Sequence, residues 1–152
     1  MVRVKQLRGA ASVVAEASIE DCFALLESVE HYPQWHPQAV RSVEVLERDS
    51  EGRASAAWTT LHVSRGPVSR DFEMVVAVAA VAPRSVTLTR VANEPSDDEQ
   101  FEVRWSLEAQ GGATRIGVEI EALLAVPRLL PLAGIGDATA GAFVAAAAAA
   151  VR

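Results

Sequence analysis

The sequence holds a single cysteine, Cys22. That excludes an internal disulfide framework and suits a reducing compartment. Basic charge is also short: fourteen Lys and Arg stand against twenty Asp and Glu, a net charge of −6. This works against nucleic-acid binding, which depends on a basic face to neutralise phosphates. Long apolar runs are missing. The charge-free stretches Leu129–Gly136 and Ala138–Val151 fall short of the ~20 apolar residues a spanning helix needs. The opening Met1-Val2-Arg3-Val4-Lys5 alternates charged and apolar residues and has no signal-peptide core. A cytoplasmic protein with no integral membrane segment is expected. The histidines His31, His36 and His62 lack the close spacing to Cys or carboxylate ligands that zinc sites show, so no metal is expected, and His31 and His36 read as solvated or capping. With no phosphate loop and no Ser/His/Asp or Cys/His arrangement, nothing calls for a cofactor.

What is present is small and apolar. Half of the 152 residues are hydrophobic, among them 28 Ala and 21 Val against 12 Leu and 4 Ile. The length suits one domain spanning 1–152. Val2 to Ala15 reads as a strand. Ser18 then offers an N-cap, with Asp21 three residues on. Ile19, Cys22, Phe23, Leu26 and Val29 recur at helical spacing, which predicts a helix over Ser18–Ser28 with Cys22 as a buried, inert thiol. Pro33 and Pro37 allow at most a short second helix or a tight loop. From Ala39 the period becomes two, with strands near 39–48, 54–64, 68–81, 85–91, 99–109 and 113–125. The short turns between them make antiparallel pairs. An Ala-rich helix runs from about Leu129 to Val151.

Strand parity separates two faces. Phe72, Met74 and Val76 share one; so do Phe101, Val103, Trp105 and Leu107, and Ile116, Val118 and Ile120. Glu73, Glu102, Arg104, Arg115, Glu119 and Glu121 alternate with them, which gives one buried and one wet face. The fold class is therefore α+β: a seven-stranded antiparallel sheet wrapped around a long C-terminal helix, with two short helices between strands 1 and 2. The hairpin at Gly66-Pro67 sets Leu61 opposite Phe72, Thr59 opposite Met74 and His62 opposite Asp71. The first two pairs lie inside and the third is a surface pair. Trp105 is then buried and Trp58 exposed; an exposed Trp can mark an interface, which leaves a homodimer open. An Ala-lined helix against a curved sheet implies either close approach or an unfilled cavity.

Several stretches resemble a known family. Ala17-Ser18-Ile19-Glu20-Asp21-Cys22-Phe23-Ala24-Leu25-Leu26, Val29-Glu30-His31-Tyr32-Pro33-Gln34-Trp35-His36-Pro37, Trp105-Ser106-Leu107, Gly111-Gly112-Ala113-Thr114-Arg115 and Val126-Pro127, in this order of elements, resemble the START-like (SRPBCC) superfamily of helix-grip proteins. That superfamily includes polyketide cyclase/dehydrase-like and coenzyme Q-binding proteins. The resemblance implies a cavity between sheet and helix that takes a hydrophobic small molecule. Its lining would draw on Thr59, Leu61, Phe72, Met74, Leu88, Phe101, Val103 and Trp105 from the sheet, and Ile135, Thr139 and Phe143 from the helix. Tyr32 and Trp35 would stand near its entrance. Parity also aims Arg70 and Arg90 inward at strand ends, where a guanidinium could hold a polar group of the ligand.

Binding of a lipid, quinone or polyketide-like molecule, as carrier or sensor, is the first expectation. The alternative is a cyclase/dehydrase in which Arg70, Arg90 and Tyr32 act on a ligand in the same cavity. A regulatory or ribosome-associating role is a third, which the acidic charge disfavours.

Overall fold

A computed structural model describes residues 2–65, 67–94, 96–127 and 134–152, with the side chains of residues 2, 3, 65, 68 and 127 left aside. In chain order the elements are β1 (Val2–Ala15), α1 (Ile19–Glu27), a 3-10 turn (Val29–His31), α2 (Tyr32–Trp35), β2 (Val40–Arg48), β3 (Ala54–Arg65), β4 (Val68–Val81), β5 (Ser85–Arg90), β6 (Gln100–Gln110), β7 (Ala113–Pro127) and α3 (Ile135–Val151). Each strand expected from the period-two pattern forms within two residues of its expected bounds. Ser18 caps α1 by accepting the Asp21 N–H at 3.1 Å, satisfying one of the amides a helix start leaves open. The long helix departs from expectation. Gly134 takes φ 78°, a left-handed conformation natural to glycine, and α3 begins at Ile135. Of the earlier start near Leu129, residues 129–133 lie outside the described residues.

The seven strands form one antiparallel sheet in the order β1-β7-β6-β5-β4-β3-β2. Only the step from β1 to β2 leaves the neighbour-to-neighbour path, and α1 and α2 occupy that connection. The register sets Leu61 opposite Phe72, Thr59 opposite Met74 and His62 opposite Asp71, as the turn arithmetic requires. Trp105 is 1% exposed and Trp58 38%, so the alternation of faces holds across both strands. On the wet face Arg104 reaches Glu119 at 2.7 Å and Glu102 at 3.0 Å, cross-strand and same-strand pairs in solvent. On the dry face Phe72, Met74, Val76, Val86, Leu88, Phe101, Val103, Ile116, Val118 and Ile120 join one core.

Helix α3 lies against β1 and β7 and also touches α1 and α2. Its buried side chains are Ile135, Ala140, Phe143, Val144, Ala147 and Ala148. An alanine buries little more than one methyl, roughly 0.8 kcal/mol, so the helix needs close approach to hold on. Glycine supplies it: a Cβ on Gly136 would fall 1.9 Å from the Arg8 carbonyl oxygen, and one on Gly9 would fall 2.0 Å from the Gly136 carbonyl carbon. Asp137 accepts the Ala10 N–H at 3.1 Å beside this contact.

Candidate functional site

On the other side of α3 the helix and sheet stand apart. An apolar cavity of about 40 Å³ lies between Val40 and Val43 of β2, Thr59, Thr60 and Leu61 of β3, Met74 and Val76 of β4, Leu88 of β5, Phe101 and Val103 of β6, Val29, Tyr32, and Phe143 of α3. A larger cavity of about 190 Å³ lies between the first turns of α3 and the turn into β2, with His36, Gln38, Ala39, His62, Val63, Ser64, Ile135 and Thr139 around it. Consecutive residues divide between the two: Ala39 and Val40, Leu61 and His62. The edge of His36, in the wall of the outer one, meets Phe143, in the wall of the inner one, with ring centroids 4.6 Å apart.

The expected binding residues therefore fall into groups. Tyr32, Thr59, Leu61, Met74, Leu88, Phe101, Val103 and Phe143 surround the inner cavity; Ile135 and Thr139 surround the outer one. Phe72 and Trp105 are core residues outside both linings, and Trp105 packs edge-on against Phe143. Trp35 is half-buried, tilted on Tyr32 at 4.8 Å and stacked on His36.

The arginines are elsewhere. Arg70 is exposed at its strand end, its guanidinium 5.4 Å from the centroid of the Phe72 ring. Arg90 is already engaged: it donates to Asp97 at 2.6 Å and to the Glu99 carbonyl at 2.8 Å, and borders a polar groove with Arg8, Glu99 and Glu121. The hydrogen bond from Arg90, with those from the Asn93 and Glu99 amides, pulls the Asp97 carboxyl down to about 2. Parity aims both arginines inward, but it says nothing of the acceptors that the β5–β6 connection brings to Arg90.

His36 is the residue that spacing alone misplaced. It is 5% exposed, so it is not solvated, and it caps the C-terminus of α2 through its backbone rather than its ring. Its N–H donates to the Tyr32 carbonyl at 2.8 Å, which closes the α2 turn and puts residues i and i+4 on one buried side. That spacing from Tyr32 is the signal that was available. Burial lowers its pKa below the ordinary histidine value, so the ring is neutral near pH 7. Its Nε2, Trp35 Nε1 and Trp105 Nε1 are buried without hydrogen-bond partners among the described residues. The Trp105 indole lies close to the Tyr32 hydroxyl without making hydrogen-bond geometry; that hydroxyl instead donates to the Leu26 carbonyl at 2.6 Å. Leaving a buried donor or acceptor unmet costs roughly 1–3 kcal/mol, so three such nitrogens in one aromatic cluster are a concentration of unmet polarity. Burial likewise raises the Cys22 thiol, which keeps it protonated. His62, which borders the outer cavity, pairs with Asp71. Among the described residues no group of His, Cys, Asp and Glu is arranged to hold a metal ion.

A curved seven-stranded sheet closed by a C-terminal helix over an apolar interior defines a START-like helix-grip domain. The chain belongs to the polyketide cyclase / dehydrase and lipid transport family, whose model matches residues 15–146. Solved structures share the fold. A START superfamily protein from Mycobacterium smegmatis is 20% identical, with a TM-score of 0.73 over 95% of this chain and 96% of that one. The Zhui aromatase/cyclase from a Streptomyces species is 13% identical, TM-score 0.69, over 97% and 94%. The Aha1 dimer from Colwellia psychrerythraea is 12% identical, TM-score 0.57, over 95% and 96%. No curated protein matches the sequence. Among the described residues no helix is long and apolar enough to cross a membrane.

Proposed function

We propose that the protein binds a hydrophobic small molecule between the sheet and α3, and carries or senses it. The observation behind this reading is the character of the inner cavity. Of its hydroxyl-bearing residues, Tyr32 donates to the Leu26 carbonyl and Thr59 to the Met74 carbonyl at 3.2 Å, while Thr60 shares the strand parity of outward-facing Trp58. What remains is apolar surface that a ligand could cover, and no Asp, Glu, His, Lys or Arg is among the residues that line it. The inner cavity at about 40 Å³ has room for a few waters, whereas ~150 Å³ takes a benzene ring. A ring-sized ligand therefore needs the Phe143–His36 contact to part and join the inner space to the outer one.

Titration with neutral N-phenyl-1-naphthylamine tests this. Its emission should rise on binding, and Val103→Trp, which fills the inner cavity, should weaken uptake about tenfold or more. An absence of probe binding, together with no co-purified apolar ligand by native mass spectrometry, would refute the reading. The family description favours a second reading, a cyclase or dehydrase acting on a ligand in the same place. Conversion of a poly-β-keto substrate by the purified protein, lost in a Tyr32→Phe variant that still binds it, would establish that reading instead.

A further inference from the structure

We infer that the ring nitrogens of Trp35 and His36 form the anchor for the ligand's polar end, and that this anchor selects an uncharged carbonyl over a carboxylate. The inference rests on the binding reading above and names the ligand's functional group. Trp35 Nε1 and His36 Nε2 are buried and have no hydrogen-bond partner among the described residues. The two residues are consecutive, and their rings lie nearly parallel, 12° apart with centroids at 6.1 Å. His36 sits at the junction of the two cavities, bordering the outer one and meeting Phe143 of the inner one, and Trp35 packs behind it on His36 and on Tyr32, which borders the inner one.

The chemistry follows from the donors. An indole N–H only donates, so its missing partner is an acceptor. A carbonyl oxygen has two lone pairs and could accept from Trp35 and from the His36 tautomer that protonates Nε2. The buried, neutral His36 ring supplies no positive charge. Nor do the arginines that strand parity aims inward: Arg90 is held by Asp97 and Glu99, and Arg70 lies exposed over Phe72. A carboxylate taken to this junction would be a buried charge without a counter-charge, an arrangement proteins avoid.

Three bicyclic probes of one skeleton separate the cases: 1-indanone, indane and indane-1-carboxylate, each titrated into ¹⁵N-labelled protein while the indole N–H resonances are followed. Indanone should bind about tenfold more tightly than indane and shift the Trp35 indole signal, with the carboxylate weakest. Trp35→Phe and His36→Phe should each bring indanone towards the affinity of indane and leave indane within about twofold. Equal affinity for indanone and indane, or tightest binding of the carboxylate, would overturn the anchor while the apolar cavity stood. Failure of all three to bind would overturn the binding reading itself. The comparison of probes on the unaltered protein decides the matter even if a variant does not fold.

Discussion

At the β1 edge, Gly9 and Gly136 bring α3 so near the strand that backbone meets backbone, and Asp137 accepts an amide of β1 beside the contact. Toward β2–β5 the same helix contributes one large side chain, Phe143, to the wall of a cavity that sheet side chains otherwise enclose. One helix thus meets one sheet by two kinds of packing. Where residues are smallest the elements close up and leave no space. Where the sheet curves away, the alanines are too short to follow. Small side chains produce tight contact or empty volume according to the distance at which the backbones are held, and here the glycine contact fixes that distance on one side only.

The largest effect should come from breaking the tight side. Gly136→Ala would ordinarily favour a helix by up to ~1 kcal/mol. Here the new Cβ meets the Arg8 backbone, which cannot rotate away, and urea unfolding should show a loss of about 3 kcal/mol or more. A neutral result would mean that the helix can lift off β1 without cost. Next, bulk added on the two sides should behave differently. Ala147, fully buried, should not accept Phe without losing about 1–3 kcal/mol. Thr139→Phe points into the 190 Å³ cavity and should cost less than that in the same urea titration. Equal costs would erase the distinction between the sides.

Arg90→Met acts at the far end of the cavity strands. NMR titration should find the Asp97 carboxyl moving up from about 2 towards its ordinary 3.8. A depressed carboxylate stabilises the fold above pH 3.8 and loses that contribution as the pH falls towards 2. The variant should therefore be less stable at neutral pH, with a flatter stability profile between pH 4 and 2. The smallest effect belongs to His36. A histidine kept neutral by burial contributes stability that is present above its unfolded pKa near 6.5 and is lost as the pH falls below it. Between pH 7.5 and 5.5 the protein should lose more stability than the His36→Phe variant, by no more than about 1.4 kcal/mol per pH unit for one proton. Identical profiles would place His36 in solvent.

Much of the fold was legible because its signals are local or periodic. The Ser18 cap, the alternation through Phe101, Val103 and Trp105, and the β3–β4 pairing that sets His62 opposite Asp71 each depend on neighbours or on a period of two. The inner cavity wall was legible for the same reason, since parity decides which side of the sheet Met74 and Leu88 occupy. Arg90 and His36 were not legible in this way. Asp97 reaches Arg90 from a connection without periodicity, and His36 is enclosed by Trp35 next to it and by Phe143, more than a hundred residues further along.

The sequence by itself determined which faces are dry, how the strands pair and where the chain turns, because those follow from side-chain period and from residues that permit or forbid a backbone conformation. Only the tertiary structure decided that Gly9 would meet Gly136, that the empty volume would lie on the other side of α3, and that the nitrogens of Trp35 and His36 would be left buried there. Those outcomes depend on distances between segments far apart in the chain, which the curvature of the whole sheet sets and no local pattern records.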